Sequence, residues 1–282
     1  MICECHGHII LDSISYAGAV ERHKQEVDEA FVRRNLRICA DNGIGYYRDG
    51  GDKFGVSVLA RQIAWEYNID YRTSAYIIHK NGHYGNMFGR AFANIYEYRS
   101  LVTEALRTGA DFIKITASGM LDFKNNGAVT HPSLTEAELC EMVNIAHGEG
   151  AAVMVHANGA DNIKRAITAG ADSIEHGFYM DNEALRMLKQ TNTIWVPTCV
   201  TVAGLIGLGR YDDRLLRQIL DSQKAALTEA AGIGVTIACG SDAGAVGVPQ
   251  GKGTLVELAI LSELGIDTEP GNHAVMYKFV RQ

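Results

Sequence analysis

Residues 111–119 read Asp-Phe-Ile-Lys-Ile-Thr-Ala-Ser-Gly, and the position of one lysine in that stretch decides how the rest of the chain is read. The apolar and β-branched run from Asp111 to Thr116 predicts a short strand. Successive strand side chains point to opposite faces, so Phe112, Lys114 and Thr116 share one face and Ile113 and Ile115 the other. A buried ammonium without a partner is costly, so a lysine in such a strand marks the face where chemistry is to be sought.

Working outward, similar runs recur at Ile2 to His8, Ile44 to Arg48, Tyr71 to His79, Ala152 to His156, Ser173 to His176, Thr193 to Thr198 and Val235 to Gly240. Amphipathic stretches separate them: Gln25 to Cys39, Val56 to Tyr67, Glu97 to Arg107, Thr135 to His147, Ile163 to Ala169, Glu183 to Lys189 and Asp212 to Ala231, with Thr254 to Leu264 after the last. Eight strands, each followed by a helix, predict an α/β fold of the (β/α)8 TIM-barrel class. Gly43, Gly109, Gly150, Gly170 and Gly265 fall where left-handed helix ends are expected, and Ser133 and Asp181 fall where N-caps are expected. An open doubly wound sheet is the weaker reading, because the first strand leads into His6-Gly7-His8 and not into a glycine-rich phosphate loop.

The 282 residues carry a net charge of -7, with 47% hydrophobic and 21% charged residues. This is the composition of an ordinary folded chain, and we read residues 1–282 as one barrel domain. No basic stripe suited to nucleic acid is present, and no run approaches the roughly 20 apolar residues that span a bilayer. The N-terminal residues lack the pattern of a signal peptide, so a cytoplasmic location is expected. Six cysteines without paired CxxC spacing read as isolated thiols.

In a parallel barrel, functional groups sit at the C-terminal strand ends. His6, His8, Lys114, His156, His176 and Asp242 all fall there and would face one rim. Alternation groups Glu4 with His6 and His8 and sends Cys3 and Cys5 towards the helices. In the last strand it sends Val235, Ile237 and Cys239 outward, and Ala238, Gly240 and Asp242 inward. Four imidazoles and a carboxylate form a nitrogen and oxygen donor set suited to Zn²⁺, Mn²⁺, Ni²⁺ or Fe²⁺. Burial would leave the Lys114 amine partly neutral, able to react with CO₂ to a carbamate that bridges two cations. An unmodified amine paired with Glu4 or Asp242 is the other reading.

A small-molecule substrate would meet the loops above this rim. The suggestive residues are His83 and Tyr84 in the loop His79 to Asn86, Arg48 and Asp49, Tyr179, and the segment Thr198 to Thr201. Arg48 reads equally well as a brace paired with Asp49 or Asp52. His23, His131, His147 and His273 lie off the strand ends and read as surface residues.

His6-Gly7-His8, Lys114 in FIKITASG, His156 in VMVHANG, His176 in SIEHG and Asp242 in GSDAG together resemble the metal-dependent amidohydrolase superfamily. The wider text, GADFIKITASG, AGADSIEHGFYMDNEALRMLKQTNTIWVPT and ACGSDAG, is most similar to its dipeptidase/prolidase and imidazolonepropionase-like branch. The resemblance implies a barrel with one or two divalent metal ions, zinc first among them. His6, His8 and Asp242 would hold one ion, His156 and His176 the other, and carboxylated Lys114 would bridge them in a binuclear centre. It also implies hydrolysis of an amide or peptide-like C–N bond in a dipeptide, N-acyl amino acid or cyclic amide, by a metal-activated hydroxide with Asp242 as general base.

Two departures from the family stand out. The β-sandwich usual in this branch is not expected, since the first strand starts at Ile2 and Asp267 to Gln282 lacks strand alternation. Positions 157–160 read Ala-Asn-Gly-Ala, without the glutamate of the deaminases, so deamination is disfavoured. The alternatives are a mononuclear imidazolonepropionase-like ring opener with unmodified Lys114, a lactonase or phosphotriesterase, and a non-enzymatic barrel stabilised by its metal. Self-association into a homo-oligomer is left open.

Overall fold

The sequence runs fold into parallel strands wrapped by helices in a computed structural model that describes residues 1–280. The elements are β1 (Ile2–Gly7), α1 (Tyr16–His23), α2 (Glu29–Asp41), β2 (Ile44–Asp49), α3 (Val56–Ile63), β3 (Asp70–Thr73), β4 (Ile77–Lys80), β5 (Gly89–Phe92) and α4 (Ile95–Thr108). There follow β6 (Ile113–Thr116), α5 (Glu136–Gly148), β7 (Val153–Ala157), α6 (Ala160–Thr168), β8 (Ser173–His176), α7 (Asn182–Thr191), β9 (Ile194–Val196), α8 (Val200–Ala203), α9 (Asp213–Gly232), α10 (Lys252–Glu263) and α11 (Glu269–Lys278). Among the described residues, no helix is long and apolar enough to cross a membrane.

The strands form two parallel sheets, β1-β2-β3 and β5-β4-β6-β7-β8-β9. Backbone contacts join their edges. The Asp111 N–H donates to the Thr73 carbonyl at 2.7 Å, a bridge pairs Trp195 with Ile237, and the Cys5 N–H donates to the Cys239 carbonyl at 2.8 Å. The hydrogen-bonded circuit therefore passes from β9 through the segment 235–240 back to β1, as a TIM barrel requires. That segment supplies isolated bridges and no full ladder. The expected third strand, Tyr71 to His79, is also divided, because Ala75 takes φ 62 and breaks the ladder between β3 and β4. β4 then carries β5 as an extra neighbour that the sequence reading lacked.

Local chemistry sets the helix ends. The Thr135 hydroxyl accepts from the Glu138 N–H while Glu138 returns to the Thr135 N–H, a capping box that starts α5 two residues beyond the expected Ser133. Asp181 caps α7 as expected, accepting from the Ala184 N–H at 2.8 Å. The five expected helix-ending glycines all take positive φ. His23, expected at the surface, is buried; it lies edge-on to Phe31 and accepts from the Asp28 N–H.

Two apolar layers lie between strands and helices. One runs through Ile113, Ile115, Val153, Val155 and Ile174, the other through Ile44, Tyr47 and Tyr71 with Val32 and Leu36 of α2. A third cluster occupies the barrel interior: Cys3, Cys5, Tyr46, Phe112, Met154, Val196 and Ala238, with Val275 and Phe279 laid against it from α11 and its end. Cys3 and Cys5 thus face inward, opposite to the expectation, and Glu4 faces out to Thr254 of α10 at 2.6 Å. The cause is a register shift between Glu4 and Gly7 in the β1–β2 ladder. An inserted residue reverses the alternation, so that His6 points inward below Gly7. Val235, Ile237 and Cys239 lie in the outer layer and Ala238 in the inner one, as the alternation predicts.

Glu257 of α10 is fully buried and accepts from the Cys199 and Val200 N–H groups at 2.9 and 2.8 Å, fixing the turn that follows β9. Burial raises its pKa from 4.5 to about 8. The folded state therefore holds a proton on Glu257 that the unfolded chain has released between these two values. Its contribution to stability falls as pH rises through that window, by up to about 1.4 kcal/mol per pH unit. Glu257→Gln keeps an acceptor without the titration, so chemical unfolding between pH 5 and 8 is expected to give a flatter stability profile than wild type. Parallel profiles would remove the assignment.

Candidate metal centre

His6 reaches the barrel axis through the bulge in β1, and its Nδ1 meets Glu175 Oε2 at 2.6 Å. Its Nε2 lies 3.2 Å from Lys114 Nζ and 3.8 Å from Asp242 Oδ1. His8 follows just beyond β1, with Nε2 3.7 Å from the same Asp242 oxygen and Nδ1 buried without a hydrogen-bond partner. One ligand atom from each of His6, His8 and Asp242 falls within 4.8 Å of the others. Two glycines make this possible. A Cβ on Gly50 would stand 2.5 Å from His8 Cε1, and one on Gly240 would stand 2.7 Å from the His6 backbone nitrogen. Side-chain-free backbone at both positions lets the imidazole strand pack this close.

His156 at the end of β7 and His176 at the end of β8 complete the wall, their ring centroids 4.6 Å apart and His176 4.9 Å from His6. Strict alternation would place His176 on the outer face with Ile174. Its left-handed backbone, φ 68, turns it inward instead; Asp242, which alternation already places inward, also takes a positive φ, 59. Such conformations are strained for side chains with a Cβ and concentrate at functional sites. Thr198 Oγ1 holds His176 Nδ1 at 2.8 Å, and the Gly119 carbonyl meets His156 Nε2 at 3.0 Å. The six residues expected at one rim are therefore brought together.

Burial governs their charge. It lowers His8 and His156 to about 3 and puts His6 and His176 well below the usual imidazole range, with the neighbouring Lys114 adding to the effect. Burial thus favours the neutral form of each ring, the form that can ligate. Burial also lowers Lys114 to about 8, against the pull of Glu175 and Asp242, and raises Asp242 to about 6. Donors that are neutral imidazole and carboxylate, dry and convergent, fit a divalent cation of the zinc or manganese kind.

The substrate-contact expectations divide. His83 and Tyr84 line a cavity that opens on Asp242, and the Tyr84 ring lies 4.9 Å from His156. Arg48 does not face the mouth: it is fully buried within the barrel on Glu175, at 2.9 and 3.0 Å. Its expected partners are engaged elsewhere. Asp49 accepts from Ile9 N–H and Tyr71 Oη, and Asp52 caps α3 through the Val56 and Ser57 N–H groups. Tyr179 turns away to Asn126 at 3.1 Å, and its neighbour Phe178 lines the cavity in its place.

Cavity residues that sequence reasoning missed include Tyr16, Met120, His131 and Arg210. His131 is exposed, as expected, and also borders the cavity, because loop geometry and not strand periodicity brings it over the mouth. Glu175 was missed although its parity with Ser173 on β8 points it inward. Tyr16, Tyr84, Met120, Asp242 and Ala245 border two lobes of the cavity, which meet at the Asp242 carboxylate.

Comparison with known proteins adds a family and several likenesses. A family model described as the amidohydrolase family matches residues 25–273. An ochratoxinase of Aspergillus niger is 31% identical over 174 residues, which cover 60% of this chain and 35% of that protein. The matched part thus spans about a third of that relative's length. A solved Xaa-Pro dipeptidase with bound methionine is similar at TM-score 0.80 and 25% identity, over 98% of this chain and 72% of that one. The solved A. niger ochratoxinase gives TM-score 0.76 at 22% identity, over 99% and 69% of the two chains, a likeness of fold.

The Gly50 contact can be tested directly. Gly50→Ala forces its methyl against the His8 ring, and zinc affinity measured against a competing chelator is expected to fall roughly 10- to 100-fold, as for displaced supporting groups around metals. Unchanged affinity would mean that His8 is not held by this contact.

Proposed function

The chain belongs to the amidohydrolase family, and from that membership we propose that it hydrolyses an amide or peptide-like C–N bond in a small substrate: a dipeptide, an N-acyl amino acid or a cyclic amide. The observation that carries the reading is the convergence of His6, His8 and Asp242 donor atoms at the floor of a cavity walled by aromatic and apolar side chains. Likeness to an Xaa-Pro dipeptidase and an ochratoxinase supports it. Residues 1–282 would act as one barrel unit.

In this proposal His6, His8 and Asp242 would hold one divalent ion and His156 and His176 a second. Lys114, lowered to about 8, is neutral often enough to add CO₂. The amine nitrogen would bond to the CO₂ carbon as one C–O π bond becomes an anionic oxygen, the amine proton would pass to solvent, and the carbamate would offer an anionic donor to the ligand sets. When bound, the ions supply Lewis acidity, which polarises a carbonyl and makes water a nucleophile near neutral pH. The carboxylate of Asp242 accepts the proton of the attacking water and returns it to the departing nitrogen. Tyr84 and His83 border one lobe and Phe178 and Arg210 the other, so the scissile bond lies over Asp242 with one substituent in each.

A second reading is a mononuclear ring opener. It is favoured by the Lys114 amine at 3.2 Å from His6 and by the Gly119 carbonyl on His156 Nε2, which together leave one compact donor set. Metal content per chain, and the presence or absence of the mass of one CO₂ on Lys114, separate the two.

Metal-loaded protein screened against dipeptides, N-acyl amino acids and cyclic amides is expected to release amine, and chelation to abolish the release. Complete inactivity across the panel with metal bound would defeat the proposal. Asp242→Asn is expected to lower turnover about 10²- to 10⁴-fold with circular dichroism unchanged. Lys114→Ala is expected to lose metal, with partial recovery on adding short carboxylic acids.

A further inference from the structure

The barrel interior holds a fully buried ion pair that the mechanism above does not use. Glu175 of β8 accepts from Arg48 Nη2 on both oxygens, at 2.9 and 3.0 Å, and its Oε2 lies 2.6 Å from His6 Nδ1. Ser173 Oγ also donates to it. Arg48 is itself fixed: its Nε donates to the Cys5 carbonyl at 2.5 Å, its Nη1 to Ser173 Oγ at 3.1 Å, and its guanidinium lies 4.2 Å from the centre of the Phe279 ring.

We propose that Arg48 and Glu175 are positioning residues that lock His6 in its Nδ1–H form and so set the affinity of the centre for its metal. This inference rests on the proposed metal site and names what tunes it.

The ion pair with Arg48 favours one assignment of the hydrogen-bond roles. An ionised carboxylate accepts and cannot donate, so at 2.6 Å the His6 Nδ1 must carry the proton. His6 Nε2 then presents its lone pair towards Lys114 and Asp242, the direction in which a cation would be held. Carboxylate contact to the outer nitrogen of a ligating imidazole fixes its tautomer and raises its basicity. Arg48 sets its guanidinium against the Glu175 carboxylate with two N–H···O contacts in this dry interior. The register shift in β1 belongs to the same arrangement, since it brings the Cys5 carbonyl to Arg48 and the His6 ring to Glu175.

A merely structural ion pair makes a different prediction. Replacing both charges together leaves no unpaired buried ion, and such replacements are often neutral for stability. In the double variant Arg48→Met/Glu175→Gln the new amide offers both a donor and an acceptor to His6 Nδ1, so either tautomer is satisfied. The expected result is a folded chain with a thermal midpoint near wild type, zinc affinity lowered roughly 10- to 100-fold, and ¹⁵N spectra in which the His6 Nδ1–H form, assigned with His6→Gln, is no longer exclusive. Arg48→Lys keeps the cation and the carboxylate and is expected to keep the tautomer. Wild-type protein that binds zinc, beside a folded double variant that binds it equally or keeps the Nδ1–H form exclusively, overturns this inference alone. Wild-type protein that takes up no metal overturns the proposed function and this inference together.

Discussion

Four imidazoles, an amine and a carboxylate share a mouth from which water is largely excluded, and burial there penalises the charged form of each. Desolvation acts on every member in the same sense, towards the neutral form. It favours imidazoles over imidazolium cations, lowers Lys114 and raises Asp242. Beneath them Arg48 and Glu175 face one another as a fully buried ion pair. The bulge in β1, the left-handed residues at His176 and Asp242, and the bare backbone at Gly50 and Gly240 are local departures from regular structure. Each of them brings a polar group into the dry centre at a cost that regular strands would not incur.

Much of this was legible in the sequence because periodicity reports on neighbours along the chain. Eight apolar runs alternating with amphipathic stretches gave the class of fold, and His6, His8, Lys114, His156, His176 and Asp242 at the run ends gave the ring of donors. Illegible were the places where alternation fails. The inserted residue in β1 sent Cys3 and Cys5 inward and Glu4 outward, and nothing in Cys-Glu-Cys-His announces it. Arg48 read as a rim residue because its strand position is right for the rim, whereas its partner, Glu175, is 127 residues away. Long-range charge pairing of this kind leaves no periodic trace. His176 was placed correctly by its position at a strand end, although strict parity would have excluded it.

The cavity owes its shape to loops and not to the barrel wall. Met120 and His131 come from the long connection between β6 and α5, where a bridge pairs Leu121 with Val129, and Arg210 and Tyr211 come from the connection between α8 and α9. Phe123 and Tyr211 meet across the opening at 4.5 Å. The barrel wall fixes the donors, while the size and polarity of what reaches them depend on side chains in segments that can vary without disturbing a strand.

At the far end of the barrel, α11 lays Val275 and Phe279 on the interior cluster, and Phe279 stacks beneath the Arg48 guanidinium. The end of α11 is therefore the floor on which the column stands: phenyl ring, guanidinium, carboxylate, imidazole, one above another. A protease that nicked the final helix would touch no ligand, yet the loss would be felt at the opposite mouth, as a foundation settling shows first in the lintel.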